Sequence, residues 1–304
     1  MSESRSKVVV GFFSLIAVMF ISFLIFSFFL VKNFSPSSAS SFSADLSDSE
    51  VGVVEIKGPI MESNKIVRKL LKAEEDESLK ALIVRIDSPG GAVGPTQEIY
   101  DEIIRIDKTK PVYASFGSVA ASGGYYIGAA ARKIYANKGT ITGSIGVIMQ
   151  FVDLSKLYEY IKFKPQTIKS GLYKDIGSPN RPMTQKEKDL LAGTITKVHD
   201  QFRQDILKRR EGRITGDLIN LSQGQIFSGE EAFEHGLIDG IGGLWGLSKD
   251  IHEELKLEGN FRKLKFIKLK KDFSFSTILE NIEDPSALAE KTVLKIFRPW
   301  LLAI

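Results

Sequence analysis

A serine set among small residues is the strongest candidate for chemistry in this chain. Ser122 lies in the run 121–124 (ASGG), and the uncharged stretch 125–131 that follows it predicts a buried helix. Such a serine can cap the helix by accepting a first-turn N–H, or it can be a nucleophile whose neighbouring N–H groups stabilise an oxyanion. Taken by itself, the local sequence favours the capping role.

A serine nucleophile needs a base, because its free hydroxyl reacts poorly at neutral pH. The three histidines all follow Ser122 at a distance and lie outside glycine-rich runs: His199, His235 and His252. A lysine can replace histidine when burial keeps its amine neutral. Lys174 is the candidate, because it lies in a glycine-containing loop whereas most other lysines lie in charge-rich helices. A charged surface pair with Asp175 is the alternative interpretation.

An oxyanion site requires two N–H donors. Gly123 can supply one, and the turn 88–91 (SPGG), where a predicted strand meets a predicted helix, can supply another through Gly90 or Gly91. This turn comes one βα unit before Ser122, so two parallel strands would bring both turns to the same sheet edge. A tight turn that only packs a helix closely is the alternative.

Composition limits the other classes of function. The 304 residues are 43% hydrophobic, and the net charge of +4 is spread over 41 basic and 37 acidic residues, whereas a nucleic-acid footprint usually needs a clustered basic face. We therefore expect no nucleic-acid partner. The absence of cysteine excludes disulfides, thiolate catalysis and cysteine-ligated metal. No metal or other cofactor is expected.

The N-terminal region predicts a membrane anchor. Residues 8–31 carry no charge and are long enough to cross a bilayer core of about 30 Å as a helix. A cleaved signal peptide is the alternative, although its apolar core is usually only about 7–15 residues. The basic residues in 1–7 favour a cytoplasmic N-terminus and an extracytoplasmic main domain. The serine-rich residues 32–50 predict a flexible linker.

Alternating strands and helices predict an α/β domain built from βαβ units over residues 51–257. The predicted strands are 51–57, 81–86, 111–115, 133–136, 145–148 and 166–169. Pro95 is expected to open one helix, and a capping box at Thr184 and Glu187 predicts a long one whose apolar face continues to Ile206.

Residues 258–304 form a C-terminal extension of different character. Its basic segment 262–271 predicts an edge strand guarded by lysines, with contact to anionic lipid headgroups as the alternative. The apolar end, 294–304, is expected to dock on its own domain, on a neighbouring subunit or at the membrane.

Five motifs in this order resemble the signal peptide peptidase A family, which are membrane-bound serine peptidases with a Ser–Lys dyad and a ClpP/crotonase-type fold. The motifs are 87–91 (DSPGG), 120–126 (AASGGYY), 142–146 (TGSIG), 169–175 (KSGLYKD) and 236–239 (GLID). The resemblance covers about residues 51–247 and the anchor. It implies repeated ββα units and the fold of that family.

The resemblance also implies roles for individual residues. Ser122 matches the nucleophile, Lys174 the general base and Ser144 the serine that orients the lysine amine. Gly123 and one glycine of 90–91 match the oxyanion donors. The family's short forms assemble into ring- or dome-shaped homo-oligomers and act on signal peptide remnants and other short unfolded segments. A single-pass protein of the cell inner or plasma membrane is implied.

Three alternatives stay open on the sequence. The sibling membrane peptidase SohB shares the chemistry and differs in biological role. A crotonase-like acyl-CoA enzyme leaves the anchor and Lys174 unexplained. A non-catalytic scaffold leaves both Lys174 and Ser122 without a role. Lys174 Nζ within hydrogen-bond reach of Ser122 Oγ and Ser144 Oγ would separate the peptidase from the others.

Overall fold

A computed structural model of the chain describes residues 49–269. The predicted anchor (8–31), most of the linker and the apolar end (294–304) lie outside these residues. Within 49–269, none of the helices has the length and apolar character needed to cross a membrane.

A mostly parallel sheet forms the centre of the domain. Its strands are β1 (Val51–Lys57), β2 (Ala81–Ser88), β3 (Val112–Ala121), β4 (Ile134–Ala136), β5 (Ile141–Gly143), β6 (Ile226–Ser228), β7 (Gly240–Ile241) and β8 (Lys265–Phe266). The order is β6-β5-β3-β2-β1-β8, with β4 beside β3 and β7 beside β4. Only β6 is antiparallel to its neighbour. Strands β1 and β2 are apolar on both faces, as expected of parallel strands covered on both sides.

Helices cover both faces of this sheet. They are α1 (Asn64–Glu74), α2 (Val93–Ile106), α3 (Gly123–Ala129), α4 (Ser155–Tyr160), α5 (Gln185–Arg210), α6 (Leu218–Leu221), α7 (Gly229–Glu234) and α8 (Leu244–Leu255). The larger core cluster includes Ile99 and Ile103 of α2 and Ile127 of α3. A second cluster joins Leu247 and Ile251 of α8 to the opposite face. The predicted mixed α/β class is confirmed.

Two predicted strands are wrong. At 145–148, the strand is instead Ile141–Gly143, because the chain turns at Ser144, whose φ is 48°. Ile145 is buried in that turn, so its apolar character reflects packing and not a strand. Residues 166–169 form no strand, and Ile168 there is fully exposed. Pro95 is the third residue of α2 and not its first.

The C-terminal edge strand is confirmed for the residues that the structure describes. Strand β8 pairs in parallel with β1 at the end of the sheet. Leu264 and Ile267 on either side of it are buried, which explains why apolar residues interrupt the basic segment. Contact of this segment with lipid stays a prediction.

Helix α5 contacts the core with only its C-terminal half. The predicted capping box is present, since the Thr184 hydroxyl accepts from the Glu187 N–H and the Glu187 carboxylate accepts from the Thr184 N–H. Phe202 and Ile206 are buried, whereas Leu190 is 48% exposed. The side chain of Arg210, 1% exposed, donates to Asp239 at 2.7 Å and to the Gly236 carbonyl at 2.8 Å.

Arg210→Ala should lower the free energy of unfolding by about 3 kcal/mol, because Asp239 loses its buried cationic partner. Urea unfolding followed by circular dichroism measures this change. Lys197→Ala, at an exposed position of the same helix, should stay within about 0.5 kcal/mol of the wild-type value. Equal stabilities of the two variants would contradict the anchoring role of Arg210.

Candidate active site

Ser122 lies where three neighbouring parallel strands end. It directly follows β3, which pairs with β2 through Ser88 and Ala120 and with β5 through Ala121 and Gly143. Because parallel strands end at the same sheet edge, the turns after β2, β3 and β5 converge there. The predicted side-by-side arrangement of the glycine turn and the Ser122 turn is confirmed.

The backbone of Ser122 is strained, and its neighbours hold it in place. Its φ of 53° and ψ of −120° are rare for a residue with a side chain. The Ser122 N–H donates to the Gly143 carbonyl at 2.9 Å, and the Ser122 carbonyl accepts from the Tyr126 N–H at 2.9 Å. The side chain makes no capping hydrogen bond to α3. The capping role that the local sequence favoured is therefore not adopted.

Two backbone N–H groups lie beside Ser122. A Cβ on Gly90, whose φ is 105°, would be 2.8 Å from the Gly123 nitrogen, so the two turns approach closely. The Gly90 N–H donates to the Ser88 hydroxyl at 3.1 Å. By contrast, the N–H groups of Gly91 and Gly123 have no acceptor within residues 49–269. The Gly91 nitrogen lies 3.3 Å from where a Cβ on Gly123 would be.

A small, mostly apolar cavity of about 40 Å³ opens next to Ser122. Residues from α2, α3, α5 and the turn after β5 line it: Gly91, Val93, Thr96, Gln97, Ser122, Gly123, Tyr126, Gly146, Val147, Val198 and Phe202. The Tyr126 hydroxyl donates to Asp205 at 2.5 Å. Burial, and then this hydrogen bond, raise the pKa of Tyr126, so the phenol stays neutral.

Most residues that line this cavity carried no recognisable signal in the sequence. Val198 and Phe202 were expected on the apolar face of a long helix, but nothing local indicated that this face passes over Ser122. Thr96 and Gln97 carried no signal, because they lie one turn before the buried Ile99 on an ordinary amphipathic helix. None of the three histidines lines the cavity.

Ser144 lies beside the Ser122 turn. It follows β5 directly, with a φ of 48°, and its N–H donates to the Gln225 carbonyl at 2.7 Å. Since Ala121 pairs with Gly143, the two serines come one residue after a paired position on adjacent strands. The fold thus brings Ser122, Ser144 and the glycine turn 88–91 to one edge of the sheet.

Lys174 is not brought to this edge within a single chain. It is exposed in the turn 170–177 and is not among the residues that line the cavity. Within the part of the chain that the structure describes, its Nζ makes no hydrogen bond or ion pair. The contact to Ser122 and Ser144 that would identify a dyad is therefore not formed in the isolated subunit.

Asp175 pairs with other cations and not with Lys174. One of its oxygens is 2.7 Å from Lys169 Nζ and 2.8 Å from an Arg181 nitrogen. Arg181 also donates to Glu187, the capping residue of α5, at 2.5 Å and 2.9 Å. The Arg181 guanidinium, and then Lys169, hold the pKa of Asp175 well below its usual range, and Arg181 lowers that of Glu187 to about 2.

Comparison with known proteins agrees with this geometry. The profile of peptidase family S49 matches residues 104–258, just over half of the chain, and that of the Clp proteases matches residues 49–142. The chain belongs to peptidase family S49. The Clp protease match covers the strands and turns that carry Ser122, so the domain is Clp protease-like.

Individual relatives agree with this assignment. A protein of Synechocystis named as a candidate protease is 40% identical over 64% of this chain and 70% of its own length. The chloroplastic serine protease SPPA of Arabidopsis thaliana is 37% identical, over 62% of this chain and 29% of its own. A candidate signal peptide peptidase SppA of Enterococcus faecium is 36% identical, over 67% of this chain and 58% of its own.

The chain therefore spans less than two thirds of the length of the latter two relatives. The expected signal peptide peptidase A relationship and the serine-type peptidase class are confirmed for this S49 family member.

Gly90→Ala should lower kcat/KM for peptide hydrolysis about 100-fold or more, because the new Cβ would press on the Gly123 nitrogen and the Ser122 side chain. Gly94→Ala is the matched control, since a Cβ there meets nothing within 4 Å. Steady-state kinetics measures both, with circular dichroism to verify folding. Wild-type activity in Gly90→Ala would show that this close approach is unimportant.

Proposed function

We propose that this S49 family member is a membrane-anchored serine endopeptidase that uses Ser122 as its nucleophile and Lys174 as its general base. One observation carries the proposal: the strained Ser122 turn lies beside the N–H groups of Gly91 and Gly123, which have no acceptor within residues 49–269, at the mouth of an apolar cavity. A crotonase-like enzyme receives no comparable support, because the matching families are peptidases.

In this proposal Ser122 Oγ attacks the carbonyl carbon of the scissile peptide bond, and the neutral amine of Lys174 takes the hydroxyl proton. The N–H groups of Gly91 and Gly123 donate to the oxyanion, each typically contributing about 3–4 kcal/mol. Lys174 then returns the proton to the leaving amine, and the C–N bond breaks. A water molecule, deprotonated by Lys174, hydrolyses the acyl-enzyme. Gly90 is assigned to shaping the turn and not to donation, because its N–H is already bonded to Ser88.

Lys174 needs a covering surface before it can act, since an exposed lysine is protonated at neutral pH. The segment around it is unusually apolar on the outside: Ile148 is 87%, Tyr160 86% and Leu172 69% exposed. Exposed apolar residues at this density favour burial against another surface. A second copy of the chain is the proposed partner, in the ring- or dome-shaped homo-oligomer that the family resemblance implies. Assembly would then place the Lys174 amine of one copy beside Ser122 and Ser144 of another copy and shield this amine from water.

The substrate is proposed to be the signal peptide remnants and other short unfolded segments left in or near a membrane. The apolar walls of the cavity support this, since they suit an apolar side chain next to the scissile bond. The name of the Enterococcus faecium relative supports the same class. The uncharged segment 8–31 would hold the enzyme in the cell inner or plasma membrane, with its catalytic domain on the extracytoplasmic side. A SohB-like role with the same chemistry is the alternative.

Ser122→Ala and Lys174→Ala should each abolish cleavage of a fluorogenic peptide. If each site combines Ser122 of one copy with Lys174 of its neighbour, co-expressing the two variants should restore about a quarter of wild-type turnover. Half of the copies keep Ser122 and half keep Lys174, so about one site in four would have both groups. Size-exclusion chromatography with light scattering verifies assembly. Substantial turnover by Lys174→Ala alone would exclude the dyad. Inactive single variants without recovery on mixing would place both groups in one chain.

Val198→Phe should fill part of the cavity and lower kcat/KM for a leucine before the scissile bond about 10-fold more than for an alanine. Leu207→Phe, at an exposed position of the same helix, serves as the control and should leave the leucine-to-alanine ratio unchanged. A peptide series differing only at this residue measures the ratio. An unchanged ratio in Val198→Phe would exclude the cavity as the binding site for that side chain.

A further inference from the structure

The turn that carries Lys174 is tied to the start of helix α5 by a continuous set of ion pairs. Lys169 and Arg181 both contact one oxygen of Asp175, and the Arg181 Nε donates to the other oxygen at 3.0 Å. Arg181 then contacts Glu187, whose carboxylate also accepts from the Thr184 N–H at 2.8 Å. Arg181 therefore bridges two carboxylates from opposite ends of the loop that connects the Lys174 turn to α5.

The charged side chains of this set are less exposed to solvent than is usual for residues in and beside a loop. The Glu187 side chain is 4% exposed and that of Asp175 13%, while Arg181 and Lys169 are near 31% and 32%. The turn has further packing support, because Gly177 lies against the Phe151 ring and leaves no room for a Cβ. A geometry fixed in this way limits where the Lys174 side chain can reach.

The charges within this set balance. Two cations, Lys169 and Arg181, face two carboxylates, Asp175 and Glu187. Lys174 lies directly next to Asp175 in sequence and yet has no ion pair within residues 49–269. The pairing thus occupies the carboxylate that is adjacent to Lys174 in sequence and that could otherwise stabilise its ammonium form.

We propose that Arg181 is a positioning residue for the peptidase reaction, which holds the Lys174 turn against helix α5 and, with Lys169, keeps Asp175 from pairing with Lys174. The inference rests on the proposed role of Lys174 as general base. Arg181 touches neither substrate nor the reacting atoms, so it acts only through Asp175 and the turn.

Two separable effects follow from this arrangement. Loss of Arg181 loosens the turn, which lowers kcat because the amine is less often in place. Loss of both cations frees the Asp175 carboxylate, which then favours the protonated amine and moves the acid limb of the kcat/KM profile to higher pH. A residue that merely stabilised the loop would produce the first effect without the second.

The test compares the pH dependence of peptide cleavage by the full chain in detergent. Arg181→Gln should lower kcat about 10-fold to 100-fold with a smaller change in KM. Lys169→Gln/Arg181→Gln should in addition move the acid limb upward by about one pH unit. Adding Asp175→Asn to that pair should return the limb to its wild-type position while kcat stays low.

Arg105→Gln is the matched control, because Arg105 also bridges two carboxylates, those of Glu74 and Glu102, at a site away from Lys174. It should leave both kcat and the acid limb unchanged. Thermal unfolding of each variant identifies those that fail to fold. If Arg181→Gln does not fold, Arg181→Lys replaces it, because lysine keeps the charge but cannot contact both carboxylates as the guanidinium does.

The outcomes separate this inference from the proposed function. An active Lys174→Ala variant overturns the general base itself, whatever Arg181 does. An inactive Lys174→Ala variant together with wild-type kcat in Arg181→Gln overturns only the positioning role. A lowered kcat with an acid limb that does not move in the double variant overturns the electrostatic part and leaves Arg181 as a loop anchor.

Discussion

The whole candidate site depends on the close approach of two backbone turns at the ends of β2 and β3. Gly90 and Gly123 lie so near one another that a single Cβ on Gly90 would reach the Gly123 nitrogen at 2.8 Å. Strand pairing sets this distance, since Ser88 is in register with Ala120. In the proposed mechanism, the N–H groups of Gly91 and Gly123 would then stabilise an oxyanion beside Ser122 without any movement of the backbone during the reaction.

Backbone hydrogen bonds hold Ser122 in its strained conformation. A positive φ at a residue with a side chain typically costs about 1–3 kcal/mol. The hydrogen bonds from the Ser122 N–H to Gly143 and from the Tyr126 N–H to Ser122 offset that cost. They also tie the turn to β5 and to a fully buried helix. The proposed nucleophile therefore belongs to the well-packed part of the domain.

The proposed base belongs to a different part of the molecule. Residues from 147 to the first half of α5 contribute little to the main core and expose many apolar side chains. Their order comes from ion pairs around Arg181 and from contacts such as Phe151 with Gly177. A rigid nucleophile and a peripheral base suit an enzyme whose activity depends on assembly, because the isolated subunit keeps Lys174 in water.

The sequence predicted the sheet edge better than the peripheral segment. Ser122, Ser144 and the glycine pair follow apolar strands, and parallel strands must end together, so their convergence could be deduced. The sequence could not show whether Gly90 or Gly91 is the better candidate donor to an oxyanion, because this depends on which N–H group donates to the Ser88 hydroxyl. Segments 145–148 and 166–169 were taken for strands because apolar residues that serve a turn or an outer surface have the same local pattern as strand residues.

Covalent labelling can show whether Ser122 is an activated nucleophile. The full chain is treated with a fluorophosphonate, digested and mapped by mass spectrometry, and the assembled protein is compared with the dissociated subunit. We expect a single phosphonylated residue, Ser122, which should be labelled much faster in the assembled protein, where Lys174 is covered. Labelling at another residue, or no reaction at Ser122 in the assembled protein, would contradict it.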